Sequence, residues 1–200
     1  MSGLNVFRWS KRVALTICLL GVLMTLDSLW LIGKASLAQY LIAIAWDQPG
    51  EGRPWPWADT RPIARLSAMT PSGQVHSPPI YVLAGANGGS LPFGPGHMAG
   101  SAFPGSEGTV VLAGHRDTHF RFMEHVAIGD RLVLEPKNGS PASYQVRSTD
   151  IVDVSRIPNW SFANDADELH LITCYPFTDW SEDDGRQRYV IQATRDHEPD

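Results

Sequence analysis

The sequence predicts a mostly β domain, a closed or nearly closed barrel, carried on one apolar N-terminal helix. Three observations point there. The 15 prolines and 18 glycines lie mainly beyond residue 48 and cut that part of the chain into pieces too short for long helices. Between these turn signals stand seven short apolar or alternating runs: Ile63–Ala68, Ile80–Ala84, Thr109–Ala113, Arg131–Glu135, Ala142–Ser148, Glu168–Thr173 and Tyr189–Ala193. No helical period separates them. Finally, 200 residues at 43% hydrophobic and 18% charged supply enough apolar surface for one compact domain plus a short extra segment.

The N-terminal segment comes first in the chain. Val13 to Gly33 is almost wholly apolar, and about twenty residues at 1.5 Å rise span a hydrocarbon core of ~30 Å, so a transmembrane helix is expected. Arg8, Lys11 and Arg12 precede it while only Lys34 follows closely. The positive-inside bias then places the N-terminus in the cytoplasm and the rest of the chain in the periplasm or exterior, anchored in the inner membrane by a single pass. A cleaved signal peptide is the competing reading; the run is longer than a typical signal core and lacks a clean small-x-small site directly after it. Asp27, inside the run, is expected at the outer interface or against a helix partner. Leu37, Tyr40, Leu41 and Ile44 have helical spacing, which predicts a short amphipathic helix ended by Pro49-Gly50. Gly50 to Trp57, with Trp55 and Trp57 between prolines, reads as a linker. The expected organisation is therefore anchor over 1–34, helix and linker over 35–59, and β domain over 60–200.

A formal charge of −5 and no Lys/Arg run after residue 12 argue against a surface built to neutralise phosphates, so nucleic acid is not an expected partner. The two cysteines sit far apart in unlike settings, Cys18 in the apolar run and Cys174 deep in the punctuated region, and are not expected to pair. That leaves one thiol outside the membrane. It is either a buried small hydrophobe or a reactive group.

A thiol becomes a useful nucleophile when a base or positive neighbour favours the thiolate or takes its proton, and acyl transfer also needs donors for the oxyanion. His115 follows the strand Thr109–Ala113, in Gly114-His115-Arg116-Asp117, which places it at a rim. Cys174 ends the run from Glu168, just before Tyr175-Pro176, and Arg188 begins the run Tyr189–Ala193. Three strand ends could bring the three together. Asp117 either orients His115 or caps the turn. Arg186, two residues before Arg188, shares its face if the strand starts early, but Arg188 is favoured because the β-like run follows it directly. His170 is not a candidate base, because four residues of strand put it roughly 13 Å from Cys174. His115 and His119 have i, i+4 spacing, with His125 and His97 elsewhere, but no helical period or Glu ligand pattern accompanies them, and a zinc site is set aside.

These strings carry a family resemblance. Leu112-Ala113-Gly114-His115-Arg116-Asp117-Thr118 resembles the sortase histidine segment, and Leu171-Ile172-Thr173-Cys174 resembles the second part of the Thr-Leu-x-Thr-Cys signature, with His170 standing at the first Thr position. Leu91-Pro92-Phe93-Gly94-Pro95-Gly96-His97 with Pro104-Gly105 resembles the glycine-rich segment upstream, and Arg188-Tyr189-Val190-Ile191 resembles the strand opened by the sortase arginine. The likeness covers roughly residues 60 to 195. The apolar anchor, Cys174-Tyr175-Pro176-Phe177 and the Trp-Pro-Trp linker look most like sortases of Gram-negative proteobacteria, near class D.

The resemblance implies a sortase-type closed barrel of seven to eight strands and a cysteine transpeptidase. Cys174 would attack an LPxTG-like sorting signal at the C-terminus of a substrate protein, His115 would shuttle protons, and Arg188 would hold substrate and oxyanion, with Thr173, Asp117 and Arg186 in possible support. A thioacyl enzyme would pass to an amine acceptor that the sequence does not identify. No metal or other cofactor is required for that chemistry. The acidic cluster Asp179, Glu182, Asp183 and Asp184 is a candidate calcium site, as in some sortases, against the plainer reading of a solvated loop. An L,D-transpeptidase would show a Ser-x-Gly-Cys-Arg motif, which Thr173-Cys174-Tyr175-Pro176 does not match, and a papain-like hydrolase places Cys before His. A non-enzymatic, membrane-anchored β scaffold is the remaining alternative, and it predicts an inert Cys174.

Overall fold

The structure, a computed structural model, describes residues 3–156, 166–178 and 185–196; within the N-terminal helix the side chains of residues 3–13, 23, 27–29, 31 and 32 lie outside that description. The chain forms two compact units, Met1–Tyr40 and Leu41–Asp200.

A single helix, α1, runs over the 45 residues Gly3–Asp47. The expected break between an apolar span and an amphipathic helix is not there. Nothing before Pro49 forces one, since Gly21 and Gly33 stand alone and an isolated glycine costs a helix only about 1 kcal/mol. Among the described residues, no helix is long and apolar enough to cross a membrane. The expected span Val13–Gly33 lies partly outside the described side chains. Those described within it include exposed Leu15, Ile17, Leu19, Leu20, Val22, Met24, Leu26 and Trp30.

In the second unit the last turn of α1 is buried through Ile42 and Ala45. Lys137 Nζ donates to the Ala45 carbonyl at 2.7 Å, and the Arg65 guanidinium lies 5.1 Å from the Trp46 ring.

The rest is a closed barrel. Its strands are β1 (Pro62–Met69), β2 (Val75–Leu83), β3 (Gly96–His97), β4 (Val110–Ala113), β5 (Arg131–Pro136), β6 (Ala142–Asp153), β7 (Glu168–Cys174) and β8 (Gln187–Arg195), in the order β1-β2-β3-β4-β7-β8-β6-β5. Seven of these match the runs expected from the sequence, with Ala84 and Thr109 falling one residue outside β2 and β4. The eighth, β3, is missed because two residues have no period to read. Its Gly96 is needed for space, since a Cβ there would collide with the Gly85 carbonyl and Ala86.

Alternation puts Leu66, Ala68, Leu132, Leu134, Tyr144, Val146, Leu169, Leu171, Ile191 and Ala193 into the barrel core, joined by Phe120, Phe122 and Met123 from the segment after β4. The opposite face of β4, β7 and β8 carries a second, small cluster of Val111, Ile172 and Val190, with Met98 and Val152 packed on it.

One buried polar pair ties the turn before β5 to β2. Asp130 Oδ2 accepts from the Ala127 amide at 2.9 Å and shares a hydrogen bond of 2.8 Å with His76 Nε2. Asp130→Ala leaves both partners unpaired in a buried place and is expected to destabilise the barrel by about 3 kcal/mol. A denaturant midpoint unchanged from wild type would contradict this.

Candidate active site

The outer cluster lies on the face to which two of the sequence candidates, Cys174 and Arg188, project. Cys174 lies two residues beyond Ile172, and Arg188 two before Val190, so both side chains project to the same outer face as that cluster. Cys174 and Arg188 are direct partners across the antiparallel β7–β8 pair. Their Cβ atoms are therefore about 4.5–5.5 Å apart. Val152 of β6 stands on the other side of Arg188.

His115 arrives by a different route. β4 runs parallel to β7 with Ala113 opposite Ile172, so continuing both strands by two residues brings His115 level with Cys174. The ladder extends one bond further, with the Gly114 amide donating to the Ile172 carbonyl at 3.1 Å. Thr173 Oγ1, buried, then donates to the Gly114 carbonyl at 2.7 Å. Gly114 is thus held to β7 on both its amide and its carbonyl, directly before His115. It must also be glycine, because a Cβ there would meet the buried Phe120 ring at 2.8–3.1 Å.

A second tie lies just past the histidine. Arg116 Nη1 donates to the Pro176 carbonyl, and its Nε lies 3.3 Å from Asp117 Oδ1. The residue before His115 is bonded by the residue before Cys174, and the residue after His115 reaches the residue two past Cys174. Two cross-links therefore bracket the pair. Sequence reasoning assigns Arg116 no role, and its adjacency to His115 in the loop was the available signal for this tie.

The other candidates fall as follows. Asp117 is exposed and pairs with Arg116, so in this structure it serves the loop rather than the imidazole. Arg188 Nη1 donates to the Gly185 and Gln187 carbonyls at 2.6 and 2.9 Å, fixing the guanidinium at the start of β8. Arg186 is exposed just before that strand; its carbonyl accepts from the Val154 amide, and its charge acts on Asp153. His170 Nε2 is taken up by Glu168 Oε2 at 2.7 Å on its own strand. His97 Nε2 bonds the Ala102 carbonyl at 2.9 Å. Both cysteines are free thiols, Cys18 exposed and Cys174 half-buried. Among the described residues no group of three or more His, Cys, Asp or Glu is placed to hold a metal ion. The acidic cluster Asp179, Glu182, Asp183 and Asp184 lies outside the described residues.

The segment from His115 to Phe120 is a closed turn, with the Thr118 and Phe120 amides both donating to the His115 carbonyl. This turn carries His119 inward. Burial pushes the His119 pKa below its usual 6.5, against a hydrogen bond to the Pro92 carbonyl, and the nearby His115 charge lowers it further. The unfolded chain then binds more protons between 6.5 and the lower folded value, so stability present above that window is lost as pH falls through it. His119→Gln is expected to flatten this part of a plot of Tm against pH; an unchanged acid slope would count against it.

The sortase domain profile matches residues 71–196. The chain is 34% identical to Sortase D of Bacillus subtilis (strain 168) over 116 residues, 58% of this chain and 57% of that protein. It thus spans little more than half the length of that curated relative. Sortase A from Corynebacterium diphtheriae superposes with a TM-score of 0.57 at 25% identity, covering 72% of this chain and 65% of that one. A Clostridium perfringens Sortase D5 transpeptidase gives a TM-score of 0.55 at 18% identity over 78% and 87% of the two chains, a likeness of fold. With the domain profile spanning the barrel from β2 to β8 and the His115, Cys174 and Arg188 strings gathered at one rim, the chain belongs to the sortase family.

Proposed function

We propose that this protein is a membrane-anchored cysteine transpeptidase that cuts an LPxTG-like sorting signal and transfers the substrate protein to an amine. The observation that carries this reading is the register, with Cys174 directly opposite Arg188 and level with His115. Cys174 Sγ attacks the carbonyl carbon of the Thr–Gly bond while the Arg188 guanidinium donates to the developing oxyanion. The C–N bond breaks, and His115 gives a proton to the departing amine. The incoming amine then attacks the thioacyl carbon, yields its proton to His115, and releases Cys174 as the thiolate when the C–S bond breaks. The outer cluster of Val111, Ile172 and Val190 supplies an apolar floor beside the reacting atoms.

The anchor reading rests on α1. Leu15, Ile17, Leu19, Leu20, Val22, Met24, Leu26 and Trp30 are exposed and, at 100° per residue, fall into two groups on roughly opposite sides of the helix rather than on one face. A helix that exposes large apolar side chains on opposite sides suits a lipid or protein interior better than water. With Arg8, Lys11 and Arg12 before it, this helix would hold the barrel on the outer face of the inner membrane. Placement among the sortases of Gram-negative proteobacteria rests on the Cys174-Tyr175-Pro176-Phe177 string and the Trp-Pro-Trp linker.

The test incubates the full chain, in detergent micelles, with a library of LPxTG-like peptides and looks for a thioacyl adduct on Cys174 by mass spectrometry. Wild type is expected to show the adduct with at least one peptide. Absence of adduct and cleavage across the library, identical to Cys174→Ala, would overturn the reading in favour of an inert scaffold.

A further inference from the structure

Next to the candidate nucleophile lies a cavity of about 310 Å³ lined by Glu124, Tyr175, Pro176, Phe177, Thr178 and Tyr189. Three of these are aromatic and in mutual contact. Tyr175 stacks on Tyr189 at 6.3 Å between ring centroids, Phe177 meets Tyr189 edge-on at 5.2 Å, and Tyr175 meets Phe177 edge-on at 6.3 Å. Tyr175 directly follows Cys174 and Tyr189 directly follows Arg188, while strand alternation turns Tyr189 away from the face that Arg188 uses. The cavity therefore opens one residue from both reacting groups but on the other side of the strand end.

Rings alone would suit any apolar side chain. The acid decides between classes. Glu124 is exposed in the short 3-10 turn Arg121–His125 and forms no ion pair among the described residues. The nearby Arg116 guanidinium is engaged by the Pro176 carbonyl and by Asp117. Aromatic faces attract a cation through the ring quadrupole, and an unpaired carboxylate at the same cavity adds a counter-charge. We propose that this pocket holds a protonated amine, the second amino group of a diamine-type acceptor whose free amine attacks at Cys174.

This deepens the transpeptidase reading and rests on it. A thioacyl intermediate can be lost to water, so an acceptor held beside it gains from proximity. In the transfer, the attacking nitrogen bonds to the acyl carbon, the C–S bond breaks and the attacking amine's proton passes to His115. The held ammonium is unchanged.

The experiment compares 1,5-diaminopentane with 5-aminopentan-1-ol, equal in length but neutral at the far end, as acceptors for the thioacyl form of the full chain. Wild type is expected to prefer the diamine about 5–20-fold, with the aromatic faces and the Glu124 carboxylate acting together. Glu124→Gln is expected to reduce that preference below about twofold, and Glu124→Lys to reverse it. Equal use of both acceptors by wild type, or a preference untouched by Glu124→Gln, would overturn the proposal. The adduct is measured in the same samples, so its absence marks failure of the transpeptidase reading instead. In that event ring NMR signals of Tyr175, Phe177 and Tyr189 judge the pocket. They are expected to shift with 1,5-diaminopentane in wild type and not in Glu124→Gln, and shifts alike in both would overturn it.

Discussion

Cys174→Ala is expected to abolish thioacyl formation and to lower turnover by at least about 10,000-fold, because no other group at this rim can form the covalent bond. His115→Ala should fall nearly as far, since its imidazole is asked to move a proton in both halves of the reaction. Arg188→Ala is expected to cost about 100–1,000-fold, the range for removing an oxyanion donor. Arg188→Lys should recover only part of that, because a point charge lacks the planar fork fixed by the Gly185 and Gln187 carbonyls. Arg186→Ala is expected within about threefold of wild type, an exposed substitution away from the reacting atoms. Peptide cleavage measured as kcat/KM ranks these variants. A larger loss from Arg186→Ala than from Arg188→Ala would reassign the arginine.

The second large effect concerns the two cross-links. Thr173→Val keeps the shape of a buried side chain but removes the donor to the Gly114 carbonyl. The unpaired carbonyl is expected to cost about 1–3 kcal/mol of stability. Turnover should fall about 10–100-fold further, because His115 loses its tether and small displacements from reacting geometry are expensive. Thr173→Ser, which keeps the hydroxyl, should restore most of both. Arg116→Ala is expected to lower kcat about tenfold, with little change in stability, since the side chain sits in a surface loop. If Thr173→Val lowers stability but leaves kcat intact, the hydroxyl is structural only and the positioning argument fails.

Much of the barrel was legible because period-2 alternation between glycine and proline stops reports the strands directly. The runs ending at Ala113 and Thr173 and beginning at Tyr189 match β4, β7 and β8 to within two residues. β6 was not read to its full length, Ala142–Asp153, because beyond Ser148 the pattern turns polar and exposed. There pairing with β8, rather than burial, keeps the strand extended. β3 was invisible for the related reason that two residues closing a barrel carry no pattern. The continuity of α1 through Gly33 was likewise missed, since a single glycine weakens a helix without ending it.

At the candidate site the division falls differently. The thiol, the imidazole and the guanidinium were candidates by residue type and position at strand ends and were joined into one site by the family resemblance, while the exclusion of His170 followed from strand rise alone. The role of Asp117 stayed open because it depended on a side-chain partner: in the fold it pairs with Arg116, and Arg188, favoured over Arg186 from the run that follows it, stands opposite Cys174.

By itself the sequence determined which residues stand at strand ends and which chemistry they bring, because turn propensity, alternation and side-chain reactivity are properties of short stretches. The tertiary structure alone decided that β4 lies beside β7 and β8 on its other edge, that Thr173 and Arg116 bracket the histidine and cysteine, and that Glu124 shares a cavity with three rings. Apart from the β7–β8 pairing, those contacts join residues about 50 or more positions apart along the chain. Their pairing is set by burial of the whole barrel core, which no local window of sequence contains.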